Sequence, residues 1–423
     1  MADGLFTRIL RRLGHAAEPL LAPDAPERRR RDAATERRLK QVGDAVARLS
    51  EQVGRVTDRV DRFDRRQVEH LGEAVAGLRW STRRQAAFAE RLLRSTHLQS
   101  EHEFMRERAV RRLRRLAQVK GTIVVGPWTG EVGYELLYWV PFVRWALETI
   151  GVPPERVVLV SRGGTASWYG LPDARYVDVL SHRTPEQLRL HMAEAKKQRR
   201  VRAFDRRLLR DIAADVPGPV GFLHPALMYA LYLPYWKQVT SIRWVEQFAS
   251  FARVVPPPAK ALGLPDDYVA VRFYFSDCFP ETEANRAILT GIVSAIAAEH
   301  EVVVLGSGVR LDDHHDAAVG VASGRVHTID HLLTPETNLA VQTAVIGGAR
   351  AFIGTYGGFS YLAPLCGVPT LALYSERNYY GYHLDFAQQV LGRVDGGSLT
   401  VMDTAMRHLA AHVAPLAPVE PGR

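Results

Sequence analysis

Short apolar runs that read as buried strands alternate with helical patterns along this chain, and this alternation limits the fold more than any other feature. The first series begins at Thr122–Gly126 and continues at Arg156–Ser161 and Ala174–Leu180. Runs rich in Val, Ile and Leu without polar alternation are typical of parallel strands covered on both faces. With helices predicted over Glu131–Ile150, which Pro141 should kink or divide, and over Gln187–Val216, the pattern indicates an α/β lobe.

A second series follows the prolines at 256–258, which mark the predicted hinge. Its predicted strands are Tyr268–Phe275, Glu301–Gly306, Ala351–Gly354 and Pro369–Tyr374. Its predicted helices are Glu283–His300, Asn338–Gly348, Ser360–Cys366 and Leu399–Val413. Two such series joined by prolines predict two facing Rossmann-like lobes, with the cleft between them as the natural site.

The N-terminal region has a different pattern, a heptad repeat. Leu39, Val42, Val46, Leu49, Val53, Val56, Val60 and Phe63 follow 3-4-3-4 spacing. Such a seam predicts a coiled coil and therefore a homo-oligomer, because an isolated helix with this stripe must bury it against a partner. Valine at both seam positions leaves the number of strands open.

Charge separates this region from the rest of the chain. Residues 1–120 hold 28 Lys+Arg against 17 Asp+Glu, whereas the other 303 residues are almost balanced. In residues 5–13 (LFTRILRRL), apolar residues and arginines fall on opposite helical faces. That pattern fits a helix on an anionic membrane surface, or one packed on the protein itself. Nucleic acid is the less favoured acidic partner.

The chain shows neither a membrane-spanning apolar run nor a secretory signal, and its two cysteines fit a reducing compartment. The expected localisation is cytoplasmic, at most peripheral to the inner face of the plasma membrane. These patterns divide the chain into a basic tail and linker, a coiled coil, an acceptor lobe, a donor-nucleotide lobe and a C-terminal helix with a tail. The boundaries are 1–31, 32–118, 119–255, 259–395 and 396–423.

A glycine turn carries the most specific signal. The predicted strand AFIG leads into Thr355, Tyr356, Gly357 and Gly358, and a helix begins near Ser360. Paired glycines permit positive φ and a close approach of ligand to backbone, and free N–H groups at a helix start suit a diphosphate. Thr355 and Ser360 add hydroxyl groups. The alternative is a tight strand-to-helix turn without a ligand.

This ordered series, followed by Gly367-Val368-Pro369 and a strand, resembles the donor-binding lobe of GT-B glycosyltransferases. It most resembles bacterial heptosyltransferase-like and surface-polysaccharide transferases, although Tyr361 stands where that group often has histidine. The resemblance implies a nucleotide-sugar donor as substrate, no cofactor and no need for a bound metal. It also implies that Thr355, Gly357, Gly358 and Ser360 contact the donor diphosphate.

The first strand-to-helix turn, residues 126–135, is similar to the turn that presents a catalytic carboxylate in the acceptor lobe of these enzymes. Glu131 is the preferred general base and Glu135 the second candidate, with Asp277 on a later loop as a third. Each acidic residue in a helix's first turn has an alternative role in helix capping.

Two further residues are predicted to bind the donor. Arg272 lies within the strand YVAVRFYF, where a charge needs a partner or a ligand. It either contacts donor phosphates or forms an internal pair with a carboxylate. Glu376 follows a strand at its carboxyl end and suits ribose hydroxyls. The polar and aromatic residues 378–383 extend this loop.

The adjacent residues 312–316 (DDHHD) indicate a solvated loop rather than a metal site, because neighbouring side chains cannot all converge on one ion. The sequence favours a glycosyltransferase of polysaccharide biosynthesis that uses a glycan or lipid-linked acceptor. Two alternatives remain open at this point: another sugar-nucleotide enzyme, such as an epimerase or hydrolase, and a non-catalytic coiled-coil scaffold.

Overall fold

The computed structural model describes residues 40–55 in part and residues 102–404 with short gaps at 195–196, 307–314, 318–319, 322 and 380. The chain divides into two compact units, Met1–Phe104 and Met105–Arg423. In the first unit, the described residues between 40 and 55 are helical. The eight seam residues, the basic helix predicted over 5–13 and residues 405–423 lie outside the described residues.

The second unit contains two parallel sheets, and the first defines the first lobe. Its strands are β1 (Thr122–Val125), β2 (Val157–Ser161), β3 (Arg175–Asp178) and β4 (Val220–Leu223), in the order β3-β2-β1-β4. Helix α1, which in this unit covers residues 105–117, precedes them. The other helices are α2 (Val132–Tyr134), α3 (Val140–Ile150), α4 (Pro185–Glu194), α5 (Ala203–Ala214), α6 (Ala226–Trp236) and α7 (Ile242–Glu246).

The second lobe has six parallel strands in the order β12-β11-β10-β5-β7-β9. They are β5 (Tyr268–Arg272), β7 (Glu301–Val304), β9 (Val326–Thr328), β10 (Ala351–Thr355), β11 (Thr370–Tyr374) and β12 (Leu399–Asp403). Strands β6 (Tyr274–Phe275) and β8 (His315–Asp316) form a separate antiparallel pair. The helices are α8 (Glu283–Ala297), α9 (Asn338–Gly348), α10 (Phe359–Leu365) and α11 (Gly381–Arg393).

Both sheets follow one topology. Counted in chain order within each lobe, the parallel strands run 3-2-1-4 in the first sheet and 6-5-4-1-2-3 in the second. The second order is that of the Rossmann fold, and the first is its first four strands. The predicted α/β class is therefore confirmed for the described part of the chain.

The two lobes share apolar packing. One cluster of buried side chains includes Trp139 and Phe142 of the first lobe together with Phe352 and Phe386 of the second. The ring of Tyr138 stacks on that of Phe386, with centroids 4.7 Å apart. The lobes are thus joined by an aromatic core as well as by the chain at 256–258.

Pro141 divides the helix predicted over Glu131–Ile150. A π-helical turn, Glu135–Trp139, separates α2 from α3, which has proline in its first turn. Proline lacks an N–H group, and its ring would clash with the carbonyl of Leu137 in a regular α-helix. The wider turn accommodates the proline, and all five of its residues are buried.

Three predicted elements were wrong. The single helix over Gln187–Val216 is divided into α4 and α5, because buried Gln198 bonds elsewhere in the lobe. The helix predicted from Leu399 begins instead as strand β12, because the backbone there completes the ladder beside β11. The strand over Tyr268–Phe275 ends at Arg272, after which Tyr274 and Phe275 turn to pair with β8.

Candidate active site

Each sheet has a switch point, which is the place between two neighbouring strands from which the chain connections run to opposite sides of the sheet. Ligands of open α/β sheets bind at such points, outside the carboxyl ends of the strands. In the first lobe the switch point lies between β1 and β4, and in the second between β5 and β10. The turn with Glu131 follows β1, and the turn with Gly357 follows β10. Arg272 ends β5 and pairs in register with Gly354.

Several hydrogen bonds fix the turn after β1. The side chain of Gln198 donates from Nε2 to the Pro127 carbonyl (2.8 Å) and accepts at Oε1 from the Thr129 N–H (3.0 Å). The N–H of Trp128 donates to the Val160 carbonyl (2.9 Å), and Arg162 donates to the Gly130 carbonyl. The turn therefore presents Glu131 from a preorganised backbone.

Glu131 itself is accessible. It occupies the N-cap position of α2 in an extended conformation, and 43% of its side chain is exposed. Lys197 Nζ lies 3.3 Å from Glu131 Oε1 and 3.3 Å from the centre of the Tyr134 ring. A half-exposed carboxylate beside one ammonium group can still accept a hydrogen bond from a hydroxyl group of solvent or substrate.

Glu135, the second base candidate, has a different environment. It is fully buried and accepts from Ser161 Oγ (2.5 Å), Tyr169 Oη (2.8 Å) and Arg162 Nη1 (2.9 Å). Burial raises the pKa of Glu135, and the Arg162 charge opposes that rise. Its partners saturate the carboxylate, so this geometry favours a structural role.

Asp277 and Glu376 are both exposed and lie on loops that touch one another. The carbonyl of Cys278 accepts from the N–H groups of Ser375 and Glu376 (3.0 and 3.1 Å). The structure therefore brings the third base candidate and the predicted ribose ligand to the same side of the second lobe.

Arg272 is buried and internally paired. Its Nη1 donates to Gln342 Oε1 (2.6 Å), and its Nη2 lies 3.2 Å from Asp316 Oδ1. The guanidinium also stands over the Phe359 ring, 4.4 Å from its centre. The predicted internal pair is confirmed with Asp316 as the carboxylate, and the charge lies at the switch point beside the start of α10.

The glycine turn differs from its prediction in one respect: neither Gly357 nor Gly358 has positive φ. A Cβ on Gly357 would lie 1.5 Å from the Tyr274 hydroxyl. A Cβ on Gly358 would lie 2.8 Å from Val132 Cβ and 2.9 Å from the Gly133 nitrogen. Both positions therefore require glycine because neighbouring protein atoms leave no space for a side chain.

The two predicted hydroxyl groups have protein partners. Thr355 Oγ1 accepts from the Tyr274 N–H (3.1 Å), and Ser360 Oγ donates to the Thr355 carbonyl (3.3 Å). The N–H groups of Ser360, Tyr361 and Leu362 donate to the carbonyls of Gly357 and Gly358. These bonds set the shape of the turn at the carboxyl end of β10.

Contacts across the lobes bring the two turns together. Gly358 touches the start of α2, immediately after Glu131. Close by, Tyr134 Oη and Tyr138 Oη lie 2.8 and 2.6 Å from Nε2 and Nδ1 of His383 in α11. The switch points of the two lobes thus open onto one junction.

The sequence analysis did not predict Gln198 and Lys197 as parts of this junction, and it placed His383 on a loop beside the donor. Residues 378–383 read as a polar loop, yet His383 is buried in α11. Burial, with a smaller contribution from Lys197, lowers its pKa to about 3, so the imidazole is neutral. No local pattern pairs such distant residues, although Tyr134 and Tyr138, one helical turn apart, signal a shared face.

Among the described residues, no group of three or more His, Cys, Asp or Glu side chains is arranged to hold a metal ion. Most of the DDHHD segment lies outside the described residues. No helix in the described part of the chain is long and apolar enough to cross a bilayer.

No protein-family model and no curated protein matches this chain. Among solved structures, it is similar to the ADP-heptose LPS heptosyltransferase II of E. coli, at 11% identity over 64% of this chain and 96% of that chain, with a TM-score of 0.35. A family 9 glycosyl transferase of Veillonella parvula shares 13% identity over 69% and 90%, with a TM-score of 0.37.

The iron-containing dodecameric glycosyltransferase TibC of enterotoxigenic E. coli shares 12% identity over 60% of this chain, with a TM-score of 0.34. The match spans 58% of the TibC chain.

Proposed function

We propose that this chain is a GT-B-type glycosyltransferase that transfers a sugar from a nucleotide-sugar donor to a cell-envelope or polysaccharide acceptor. One observation carries the proposal: the turn with Glu131 and the turn with Gly357 and Gly358 meet at the junction of two switch points. One side of the junction offers an accessible carboxylate, and the other holds a buried guanidinium. A transfer that uses a general base and releases a diphosphate draws on both kinds of charge.

The donor would lie against the second lobe. Its diphosphate develops negative charge as the glycosidic bond breaks, and a preorganised cation stabilises that charge without reorganisation. Arg272 is held by Gln342 and Asp316 and so supplies such a cation at the switch point. The turn over Thr355–Ser360 would border the diphosphate, and exposed Glu376 would accept from ribose hydroxyls. In this proposal the stabilising charge comes from the chain itself.

The acceptor would lie against the first lobe. A hydroxyl group on a glycan or lipid-linked acceptor would donate its proton to Glu131 as its oxygen attacks the anomeric carbon. Lys197 holds the carboxylate at the mouth of the junction. Glu135 is saturated by its own partners, so Asp277 is the remaining alternative base.

The wider setting follows from the sequence. We place the protein in the cytoplasm, and we propose that residues 32–118 join copies of it into an oligomer. Replacement of Val46, Val53 and Val60 by Asp should then give monomers in light scattering, and an unchanged mass would contradict this assembly.

Radiolabelled UDP-, GDP- and ADP-sugars, incubated with the full chain and a glycolipid fraction of cell envelopes, test the activity. We expect label to pass from one donor to the acceptor fraction. Nucleotide release that ignores the acceptor would indicate a hydrolase, and a changed donor sugar would indicate an epimerase. If the chain shows no turnover and binds no donor, the coiled-coil scaffold becomes the better account.

A further inference from the structure

Helix α1 carries a dense positive charge that the proposed reaction does not use. Residues 105–120 contain six arginines and one lysine against a single acidic residue, Glu107. Arg106, Arg112, Arg114, Arg115 and Lys120 are exposed. Glu107 lies 3.5 Å from Arg111, so one acidic side chain offsets one of these seven positive charges.

The helix holds these arginines in a fixed place. Ala109, Leu113 and Leu116 repeat at helical spacing and are at most 7% exposed, within the core that includes the first lobe. An apolar stripe anchored in this way keeps the other faces of the helix toward solvent. The charged surface is therefore presented by a rigid element.

The arginines crowd one another. Burial, together with the charges of Arg112 and Arg111, lowers the pKa of Arg108. Arg108, Arg111, Arg112 and Arg115 follow i, i+3, i+4, i+7 spacing and so share one side of the helix. A negatively charged surface placed against this side would relieve their mutual repulsion.

A groove of about 210 Å³ lies beside this helix. Arg112 and Arg115 border it, and its lining is otherwise apolar: Leu113, Leu116, Val119, Phe222 and Leu223. Guanidinium groups above an apolar lining suit a molecule with an anionic head and a hydrocarbon chain. Proteins that bind single-stranded nucleic acid without sequence preference instead stack successive bases on several aromatic side chains, whereas Phe222 is the one aromatic residue in the lining of this groove.

We propose that helix α1 and the groove beside it dock this protein on an anionic lipid bilayer. Phosphate head groups would meet the arginines, and the apolar groove would receive part of one acyl chain. The residues of this surface include none from the segment 5–13 and none from the turns that hold Glu131 and Gly357. The docking does not depend on the proposed transferase activity, so it would stand if no sugar were transferred.

Co-sedimentation of the full chain with phosphatidylcholine vesicles, with and without phosphatidylglycerol, tests the docking. The triple variant Arg112→Glu, Arg114→Glu and Arg115→Glu should lose roughly tenfold to a hundredfold in partition to anionic vesicles. The matched control reverses Arg206, Arg207 and Arg210, which are exposed on α5 and change the net charge equally. The control should bind within about threefold of wild type, because its charges lie off the docking surface.

Equal loss in both triple variants would show a net-charge effect and overturn the proposal. Full binding by the α1 variant would also overturn it and assign docking to the N-terminal tail. Loss of duplex DNA binding with vesicle binding retained would identify a nucleic-acid surface instead. If the Glu variant melts early, the same three replacements by Gln repeat the test, since they remove charge without adding like charges to the helix.

Discussion

The switch points of the two lobes share a strand order but differ in what they expose. In the first lobe, the turn after β1 is fixed by Gln198 and Arg162 and leaves the Glu131 carboxylate half exposed. In the second lobe, the turn after β10 is packed by Tyr274, and the charged group, Arg272, is buried. One topology thus presents an accessible anion on one side of the junction and a shielded cation on the other.

The difference follows from what surrounds each charge. A carboxylate that must exchange a proton needs access to water or substrate, whereas a cation that stabilises developing charge acts more strongly in a low-dielectric site. Glu135 shows that position within a turn does not decide the role. It lies one helical turn after Glu131, yet it is buried with Arg162.

The largest expected effect on stability separates these two glutamates. Arg162→Met would leave the buried Glu135 charge unpaired and should lower the free energy of unfolding by about 3–5 kcal/mol. Arg189→Met, which breaks an exposed pair with Glu186, should leave the free energy of unfolding nearly unchanged. Chemical denaturation measures both. Similar costs for the two variants would mean that the Glu135 pair does not hold the first lobe.

Glu131→Gln should leave stability almost unchanged and slow transfer roughly 10²–10⁴-fold, since it removes a base but little packing. Steady-state kinetics with the donor found in the transfer assay measure the rate, and donor affinity should stay near that of wild type. Glu135→Gln serves as the contrast, with its main loss in stability. If Glu131→Gln turns over normally, the role of base passes to Asp277.

Gly357→Ala probes the packing of the second turn. The added methyl group would meet the Tyr274 hydroxyl, so we expect a loss of about 1–3 kcal/mol in the free energy of unfolding. Tyr274→Phe in the same chain should recover part of that loss by removing the hydroxyl. No recovery in thermal and chemical melts would show that another contact requires this glycine.

His383 adds a pH dependence to the junction. Its pKa is about 3 in the folded chain against an ordinary 6.5, so between these values the unfolded chain binds a proton that the folded chain does not. The free energy of unfolding should therefore fall as the pH falls from 6.5, by about 2 kcal/mol at pH 5 from this residue. His383→Gln should flatten the dependence of the unfolding free energy on pH by that amount. Equal slopes for wild type and variant would contradict a neutral His383 between Tyr134 and Tyr138.

The sequence predicted those parts of the fold that depend on local pattern. Continuous apolar runs located β2, β10 and β11, and α9 was predicted at its observed bounds. Local pattern could not show that β12 replaces a helix, because β12 pairs with β11, a strand from which it is separated in the sequence by helix α11.

The candidate site was predictable to a similar extent. Glu131 was predicted from its place in a strand-to-helix turn, and Arg272 from the cost of a charge within an apolar strand. The sequence did not show why both glycines are required, because the residues that pack against them, Tyr274 and Val132, come from distant parts of the chain. Gln198 was missed, and the two tyrosine partners of His383 were not predicted, for the same reason: tertiary packing alone brings these partners together.

Calorimetric titration of the full chain with UDP, GDP and ADP tests most directly whether the junction binds a nucleotide diphosphate. We predict binding of at least one of them, weakened roughly tenfold to a hundredfold by Arg272→Met, because a charged partner of the diphosphate is lost. Arg253→Met, which removes an arginine bonded to the Cys366 carbonyl of the second lobe, should bind as wild type does. A wild-type chain that melts cooperatively and binds none of the three would contradict the account.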